Sequence, residues 1–292
     1  MKHIIILLIG VVFSTSSCQI KKNNTMILEG KEAYKTSYAV NYLSVLPLRS
    51  EPNHRSEMVS QILFGEYMKV KDTNEEWSYI ELEQDAYKGW VESFQIQTVP
   101  QKEYEKITTS TKVKALDHLT TIQVANNTLY LVKGSNLPFY SEGFFTYNGE
   151  KIPYPGAVTT GKHNRESVIK TANSYLNTPY LWGGKNPLGL DCSGFSQIVY
   201  HLNGHTVQRD ASLQAKQGEL VAFLSEAKPG DLAFFDNKEG NITHVGILLE
   251  NEKIIHAAHG KVRIDKIDQE GIYNQDEKKY THHLRMVRRY FQ

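Results

Sequence analysis

The hydrophobic positions in the last third of the chain follow a helical period over residues 192–202. Apolar residues recur there at three- and four-residue steps, and Asn203 and Gly204 end the pattern. Asp191, directly before the pattern, is a suitable N-cap. Cys192 therefore falls in the first turn of a predicted helix. There the free backbone N–H groups and the positive end of the helix dipole favour a thiolate.

Shorter apolar segments with β character precede this helix. Over residues 34–100 five segments rich in Val, Ile, Tyr and Trp are separated by turn residues, and WSYIELE alternates well. Five short strands at such spacing predict a small barrel. Residues 101–160 again combine β segments with Gly, Asn and Pro turns. We interpret them as a second, divergent barrel.

The third predicted domain spans residues 161–292. It opens with an amphipathic helix that has Asn164 as its N-cap. After the helix at 192–202, the segments ITHVGILLE, KIIHAAHG and HLRMVRRYF predict strands. Helices followed by a separate antiparallel sheet indicate an α+β fold.

The N-terminus has the pattern of an export signal. Lys2 and His3 precede the apolar run IIILLIGVVF, which is too short to span a bilayer and is followed by small residues and Cys18. We predict that residues 1–18 are a lipoprotein signal peptide with Cys18 as the lipidation site. Ordinary cleavage nearby is the alternative. Residues 19–33 are polar and predict a tether.

Composition narrows the range of functions. The 292 residues carry a formal net charge of +1, and 40% are hydrophobic. This supports globular domains and argues against capture of the chain by nucleic acid or anionic lipid. The 2 cysteines could pair in an exported protein. We reject the pairing because Cys18 and Cys192 each have their own explanation.

Cys192 and the downstream histidines suggest nucleophilic catalysis. A cysteine nucleophile needs a base within hydrogen-bond reach, and the base needs an orienting partner. His244 and His256 lie on consecutive predicted strands. A two-residue turn between these strands would place the two histidines on opposite faces of the sheet. An odd-length loop or a bulge is therefore required, and otherwise His259 is the better partner of His244.

Two other interpretations apply to the same residues. A free cysteine such as Cys192 is commonly a buried small hydrophobe. Cys192, His244 and His256 could also hold a metal ion, but the sequence has no CxxC or HxxxH signature. We therefore predict no metal and no cofactor. His118, His163, His201, His282 and His283 are interpreted as surface or structural residues.

Three motifs together resemble the NlpC/p60-type cysteine peptidases of bacterial cell-wall metabolism: DCSGF, HVGI and IIHA. The resemblance implies Cys192 as the nucleophile, His244 as the base and His256 as its orienting residue. The segments LPLRSEP, LFGEYMKV, EEWSYIEL and YKGWV resemble a bacterial SH3 domain. The expected fold is thus an α+β papain-like catalytic domain preceded by two small all-β SH3-like barrels.

The resemblance also implies a substrate. Such enzymes cut the γ-D-glutamyl–diamino-acid bond of peptidoglycan stem peptides, and one branch with SH3-like domains demands a free N-terminal L-Ala. Asp191, Ser193 and Asp210 match the positions that receive this substrate in that branch, whereas Ala211 replaces an expected Ser. Tyr180 in PYLWGG matches the family tyrosine that assists the Cys192 backbone N–H at the oxyanion.

The resemblance implies further substrate contacts from the first SH3-like domain. Glu57 and Tyr87 are the candidates for a Glu and a Tyr that cover part of the pocket, and Glu51 is a rival for Glu57. Arg209 is a candidate ligand of the D-Glu carboxylate, with a surface role as the alternative.

These implications give one hypothesis and two alternatives. The hypothesis is a monomeric γ-D-glutamyl-L-diamino-acid endopeptidase of the cell envelope. It would be lipid-anchored, face the periplasm, act on peptidoglycan-derived peptides and release L-Ala-D-Glu for recycling. The first alternative is a cell-wall-binding lipoprotein with a catalytically silent papain-like domain. The second is an acyltransferase on the same fold.

Overall fold

The structure is a computed structural model that describes residues 36–291. The predicted signal peptide, the tether and the lipidation site Cys18 lie outside the described residues. None of the helices within residues 36–291 has the length and apolar character needed to cross a membrane.

A seven-stranded antiparallel sheet forms the N-terminal barrel, residues 37–99. In WSYIEL the even-numbered residues are fully buried, whereas Tyr79 and Glu81 are only partly buried, as the alternation predicts. The strands run in the order β3-β2-β6-β5-β4-β1-β7 around an aliphatic core. Their bounds are β1 Ser37–Val40, β2 Val45–Arg49, β3 Met58–Leu63, β4 Tyr67–Thr73, β5 Trp77–Leu82, β6 Lys88–Glu92 and β7 Gln97–Val99.

The segment that follows has one helix and three separate two-stranded ladders around a small core. These ladders do not join into one sheet, so they do not confirm the second SH3-like barrel that we expect over residues 101–160. That barrel stays a prediction. The elements are α1 Gln101–Thr109, β8 Lys114–Ala115, β9 Leu119–Val124, β10 Asn127–Val132, β11 Phe144–Tyr147, β12 Glu150–Pro153 and β13 Val158–Thr159.

The C-terminal part contains the remaining helices and strands. The Asn164 side chain caps α2 by accepting a hydrogen bond from the Ser167 N–H, and α3 coincides with the predicted helix. The elements are α2 Arg165–Asn173, β14 Lys185–Asn186, β15 Gly189–Leu190, α3 Cys192–Leu202, α4 Ala211–Gln214, β16 Glu219–Val221, β17 Leu232–Asp236, β18 Ile242–Leu248, β19 Lys253–Ala258, β20 Lys261–Ile267, β21 Gly271–Asn274 and β22 Lys279–Arg289.

The C-terminal sheet closes on itself. Strand β22 pairs with β17 and also with β21, so strands β17 to β22 form a closed ladder, the C-terminal barrel. Its interior is filled by an apolar cluster that includes Phe235, Leu248 and Ile272. Helix α3 packs on its outside through a larger core with Phe195 and Val245. The sequence predicted an antiparallel sheet but not its closure, nor the strands β20 and β21.

Buried polar contacts join the N-terminal barrel to the C-terminal part. The Lys185 ammonium lies 2.9 Å from Glu66 Oε1, and both side chains are at most 5% exposed. The Gln197 amide donates to Asp85 Oδ2 over 2.7 Å. Such pairs need their partners in place because an unpaired buried charge is costly. The barrel is therefore fixed against the loop and helix that carry Cys192.

Candidate active site

Cys192 is the first residue of α3 and lies at the base of a cleft. Asp191 caps the helix by accepting a 2.6 Å hydrogen bond from the Gly194 N–H. Among the described residues Cys192 is the free cysteine, and it is 8% exposed. Burial, and then the Asp191 carboxylate, raise the pKa of its thiol to about 12, although the Val245 and Ser193 N–H groups lower it. The helix start therefore does not leave a resting thiolate, contrary to the expectation from sequence.

His244 and His256 meet on one face of the sheet. Ile247 pairs with Ile255, and the Leu249 N–H bonds to the Lys253 carbonyl, which leaves a three-residue loop. This odd length satisfies the requirement stated from sequence. His244 Nε2 lies 2.8 Å from His256 Nδ1.

Asp265 on β20 extends this pair to a third side chain. Its Oδ2 accepts a 3.0 Å hydrogen bond from His256 Nε2, and Arg263 also pairs with the carboxylate. With the Nε2 proton directed to Asp265, His256 Nδ1 accepts the proton of His244 Nε2. His244 Nδ1 is then left without a proton and can accept one.

Sequence reasoning missed Asp265, because the apolar residues of KVRIDKI do not alternate on one face of the strand. Asp265 shares the inward parity of Ile267 on β20, and it is 5% exposed. A buried carboxylate needs a partner. In this fold that partner is His256.

Both histidines of the pair are held neutral. Burial, and then His256 and His282, move the pKa of His244 well below 6.5. Burial likewise lowers the pKa of His256, although its bond to Asp265 acts in the opposite direction. The resting state is therefore a thiol beside a neutral imidazole chain.

The cleft has a volume of about 350 Å³ and contains the predicted residues Tyr180, Cys192 and His244. Burial is the main cause that raises the pKa of Tyr180 to about 12. Its hydroxyl stays protonated and can donate. His259 lines the same cleft but its Nδ1 pairs with Glu277 over 3.1 Å. His256 and not His259 therefore contacts His244 Nε2.

Arg209 has a different setting from both alternatives considered from sequence. It is 1% exposed, so it is not a surface residue. Its guanidinium donates to both carboxylate oxygens of Asp191, to Ser193 Oγ over 2.8 Å and to Ser60 Oγ over 2.9 Å. These bonds occupy most of its donors and leave little for the carboxylate of a D-Glu residue. Arg209 instead fixes Asp191 and Ser193 beside Cys192.

The N-terminal barrel contacts the C-terminal part through the two predicted residues Glu57 and Tyr87. Glu57 Oε1 accepts a 2.6 Å bond from Trp182 Nε1, in the loop that also carries Tyr180. Tyr87 donates to Asp210 Oδ1 over 2.9 Å. Glu51, the rival candidate, is exposed, and its backbone carbonyl accepts from Ser56.

Asp210 lies at the N-cap position of α4 but makes no side-chain cap bond to that helix. Its carboxylate is directed to Tyr87 instead. Ala211, where a Ser was expected, is buried at the first position of α4. Within residues 36–291 no group of three or more His, Cys, Asp or Glu side chains is arranged to hold a metal ion.

Comparison with known proteins was made on both sequence and fold. The NlpC/P60 family matches residues 177–285, and the bacterial dipeptidyl-peptidase SH3 domain matches residues 48–96. A solved NlpC/P60 family protein from Bacillus cereus superimposes with a TM-score of 0.74 at 20% identity, over 88% of this chain and 100% of that one. The N-terminal barrel is thus an SH3-like domain, and the fold is that of NlpC/P60 proteins.

Two curated relatives cover most of the chain. The gamma-D-glutamyl-L-lysine dipeptidyl-peptidase of Bacillus subtilis is 32% identical over 224 residues, 68% of this chain and 71% of the relative. Dipeptidyl-peptidase 6 of Lysinibacillus sphaericus is 28% identical over 261 residues, 78% of this chain and 92% of the relative. The chain therefore belongs to the NlpC/P60 family and combines its peptidase domain with the SH3 domain of bacterial dipeptidyl-peptidases.

Proposed function

We propose that the protein is a cysteine endopeptidase that hydrolyses the γ-D-glutamyl–diamino-acid bond of peptides with a free N-terminal L-Ala. The observation that carries the proposal is the unbroken chain from His244 to His256 to Asp265, in a cleft shared with Cys192. Relatives named for dipeptidyl-peptidase activity on γ-D-glutamyl-L-lysine bonds support the substrate class.

In the first step the Cys192 sulfur attacks the γ-carbonyl carbon of D-Glu. Because the resting thiol is protonated, its proton passes to His244 Nδ1 during the attack. His244 then gives this proton to the leaving amine of the diamino acid, and a thioester to Cys192 remains. Water activated by His244 attacks the thioester and releases L-Ala-D-Glu with the thiol restored.

The backbone N–H of Cys192 and the Tyr180 hydroxyl would stabilise the negatively charged oxygen of the tetrahedral intermediate by donating hydrogen bonds to it. Tyr180 keeps its proton, since its pKa is raised to about 12. Donors fixed in place before the reaction stabilise the developing charge without reorganisation. His256 keeps His244 in the tautomer that accepts the thiol proton, so it acts through His244.

The ammonium group of L-Ala would be held by Asp210. One carboxylate oxygen of Asp210 accepts from the Tyr87 hydroxyl, and the other would accept from the substrate ammonium. Asp191 is a poorer ligand because its two oxygens already accept from Arg209, Ser193, Gly183 and Gly194. Asp191 would therefore position the backbone around Cys192, while Glu57 and Tyr87 wall the pocket.

A pocket walled by the SH3-like domain would exclude stem peptides that are still joined to glycan through the L-Ala nitrogen. This favours peptides already released from the wall, hence recycling in the cell envelope. Anchoring through Cys18 on the periplasmic side, and a monomeric state, remain parts of the same proposal. The alternative of a catalytically silent cell-wall-binding lipoprotein has less support, since the sequence retains Cys192, His244 and His256.

The test is product analysis of L-Ala-γ-D-Glu-meso-diaminopimelate incubated with the purified full chain under reducing conditions. Mass spectrometry should find L-Ala-D-Glu and free diaminopimelate, and the Cys192→Ala protein should release neither. Ser225→Ala is a control, since Ser225 is exposed and does not line the cleft. Wild-type protein that binds the peptide without cutting it would refute the proposal in favour of the silent binding module.

A further inference from the structure

The imidazole ring of His282 packs face to face on the ring of His244, the proposed general base. The rings of His282 and His244 have centroids 4.1 Å apart and an interplanar angle of 29°. His282 also stands edge-on to His256 at 5.9 Å and lines the cleft that contains Cys192. The sequence placed His282 among surface or structural histidines, and no motif includes it.

Closure of the C-terminal barrel brings His282 to this position. His282 lies on β22, which pairs with β17 on one side and β21 on the other. Strand β17 has a register shift at Phe235 toward both β18 and β22. Bulges of this kind re-aim side chains next to active sites. The two histidines therefore meet across the mouth of the barrel, beside the Phe235 ring.

A hydrogen bond alone holds the base loosely. His244 is fixed by its Nε2 bond to His256, whereas the outer torsion of a histidine side chain has a broad energy minimum. Its ring can turn about this bond unless a second group restrains its plane. A ring stacked on its face supplies that restraint.

The groups around the stack leave both rings uncharged at neutral pH. His244 is faced by Cys192 on α3, Phe235 on β17, His256 on β19, His259 after β19 and His282 on β22. Burial, then His256 and His259, lower the pKa of His282 to about 4, and Asp265 opposes this shift. Two neutral rings can stack without repulsion.

We propose that His282 is a positioning residue, which fixes the plane of the His244 ring so that Nδ1 faces the Cys192 thiol. The inference rests on the proposed function for its catalytic consequence only. The packing itself is independent of the substrate. His282 acts by its shape, so a phenyl ring of similar size should replace it.

The experiment compares three variants of the full chain with wild type. His282→Ala removes the ring, His282→Phe keeps a flat ring without nitrogen, and His283→Ala is the matched control, because His283 is its exposed neighbour on β22. The first readout is steady-state cleavage of the free tripeptide. The second is the imidazole titration of His244 by NMR, which needs no substrate. Thermal unfolding verifies that each variant is folded.

We expect kcat of His282→Ala to fall by about 10- to 100-fold with KM nearly unchanged, since small misplacements of a catalytic group cost this much. The pKa of His244 should also rise toward 6.5, because water reaches the uncovered ring. His283→Ala should keep the wild-type values of both. His282→Phe should keep the wild-type kcat and raise the pKa of His244 by less than His282→Ala does, because the phenyl ring still covers His244 and only the charge of His282 is lost.

Unchanged kcat and His244 titration in His282→Ala would overturn the inference. Equal losses in His282→Phe and His282→Ala would overturn it too, since a nitrogen and not the ring plane would then matter. If the wild-type protein does not cleave the tripeptide, that result contradicts the proposed function but not the stacking role of His282. The NMR titration still decides the stacking role in that case.

Discussion

The hydroxyl group of Tyr87 in the SH3-like domain donates a 2.9 Å hydrogen bond to Asp210 Oδ1 in the peptidase domain. This bond joins the two domains. It orients a carboxylate that its own helix α4 does not use as a cap. Burial, and then the charge of Asp210, hold the pKa of Tyr87 well above its usual value, so the hydroxyl remains a donor. In the proposed function the substrate pocket is therefore built by both domains.

Removing this hydroxyl should weaken recognition of the substrate ammonium. For Tyr87→Phe we expect kcat/KM on the free tripeptide to fall about 3- to 10-fold, the value of one hydrogen bond. Tyr79→Phe is the matched control, because Tyr79 packs on Trp90 in the same barrel. Equal kcat/KM for wild type and Tyr87→Phe would contradict the assignment of the pocket.

The Asp265 carboxylate should set the tautomer of the histidine chain. Asp265→Asn can donate to His256 Nε2 and so reverse the proton positions along the chain, which leaves His244 Nδ1 protonated. We expect kcat to fall on the order of 10²-fold or more, measured by steady-state cleavage. Asp276→Asn removes the other carboxylate that Arg263 bonds, but makes no contact with His256. Full activity of Asp265→Asn would show that the tautomer does not depend on this carboxylate.

The pH dependence of kcat/KM should reflect the depressed pKa of His244. A base is active in its unprotonated form, and the pKa of His244 lies well below 6.5 because of burial, His256 and His282. Activity should therefore persist below pH 6.5 and be lost only as the pH falls through the lowered pKa. An acidic limb centred at or above pH 6.5 in the rate profile would contradict this setting of His244.

The buried pair of Arg209 and Asp191 should matter for stability. Their side chains are 2% and 9% exposed, and removal of one partner leaves a buried charge unpaired. We expect Arg209→Met to lower the free energy of unfolding by about 3–5 kcal/mol in urea titrations. Lys69→Met, which breaks a partly exposed pair with Glu81, should cost at most about 1 kcal/mol. Similar losses in both variants would contradict the structural role of Arg209.

Local patterns predicted the local parts of this fold well. The cap at Asp191 and the helix from Cys192 depend on neighbouring residues, and both are as predicted. The sequence showed that the loop between β18 and β19 must have an odd length, but it could not predict that length. Asn251 and Glu252 adopt positive φ values, which an Asn-Glu pair does not predict.

Long-range features could not be predicted in the same way. The stacking of His282 on His244 depends on closure of the barrel, which no local pattern encodes. The setting of Arg209 depends on Ser60, far away in the sequence. The thiol of Cys192 shows the same limit, since burial outweighs the helix start in its pKa. Each of these depends on which surfaces pack together.

The most direct test of the account is the ratio of kcat/KM for L-Ala-γ-D-Glu-meso-diaminopimelate to that for its N-acetylated form, measured on the same wild-type preparation. Acetylation removes the ammonium and leaves the Asp210 carboxylate without its charged partner. We predict a ratio of at least about 10², as for sites built to bind a substrate N–H group. A ratio near one would retain a peptidase but contradict the two-domain ammonium pocket of Asp210 and Tyr87.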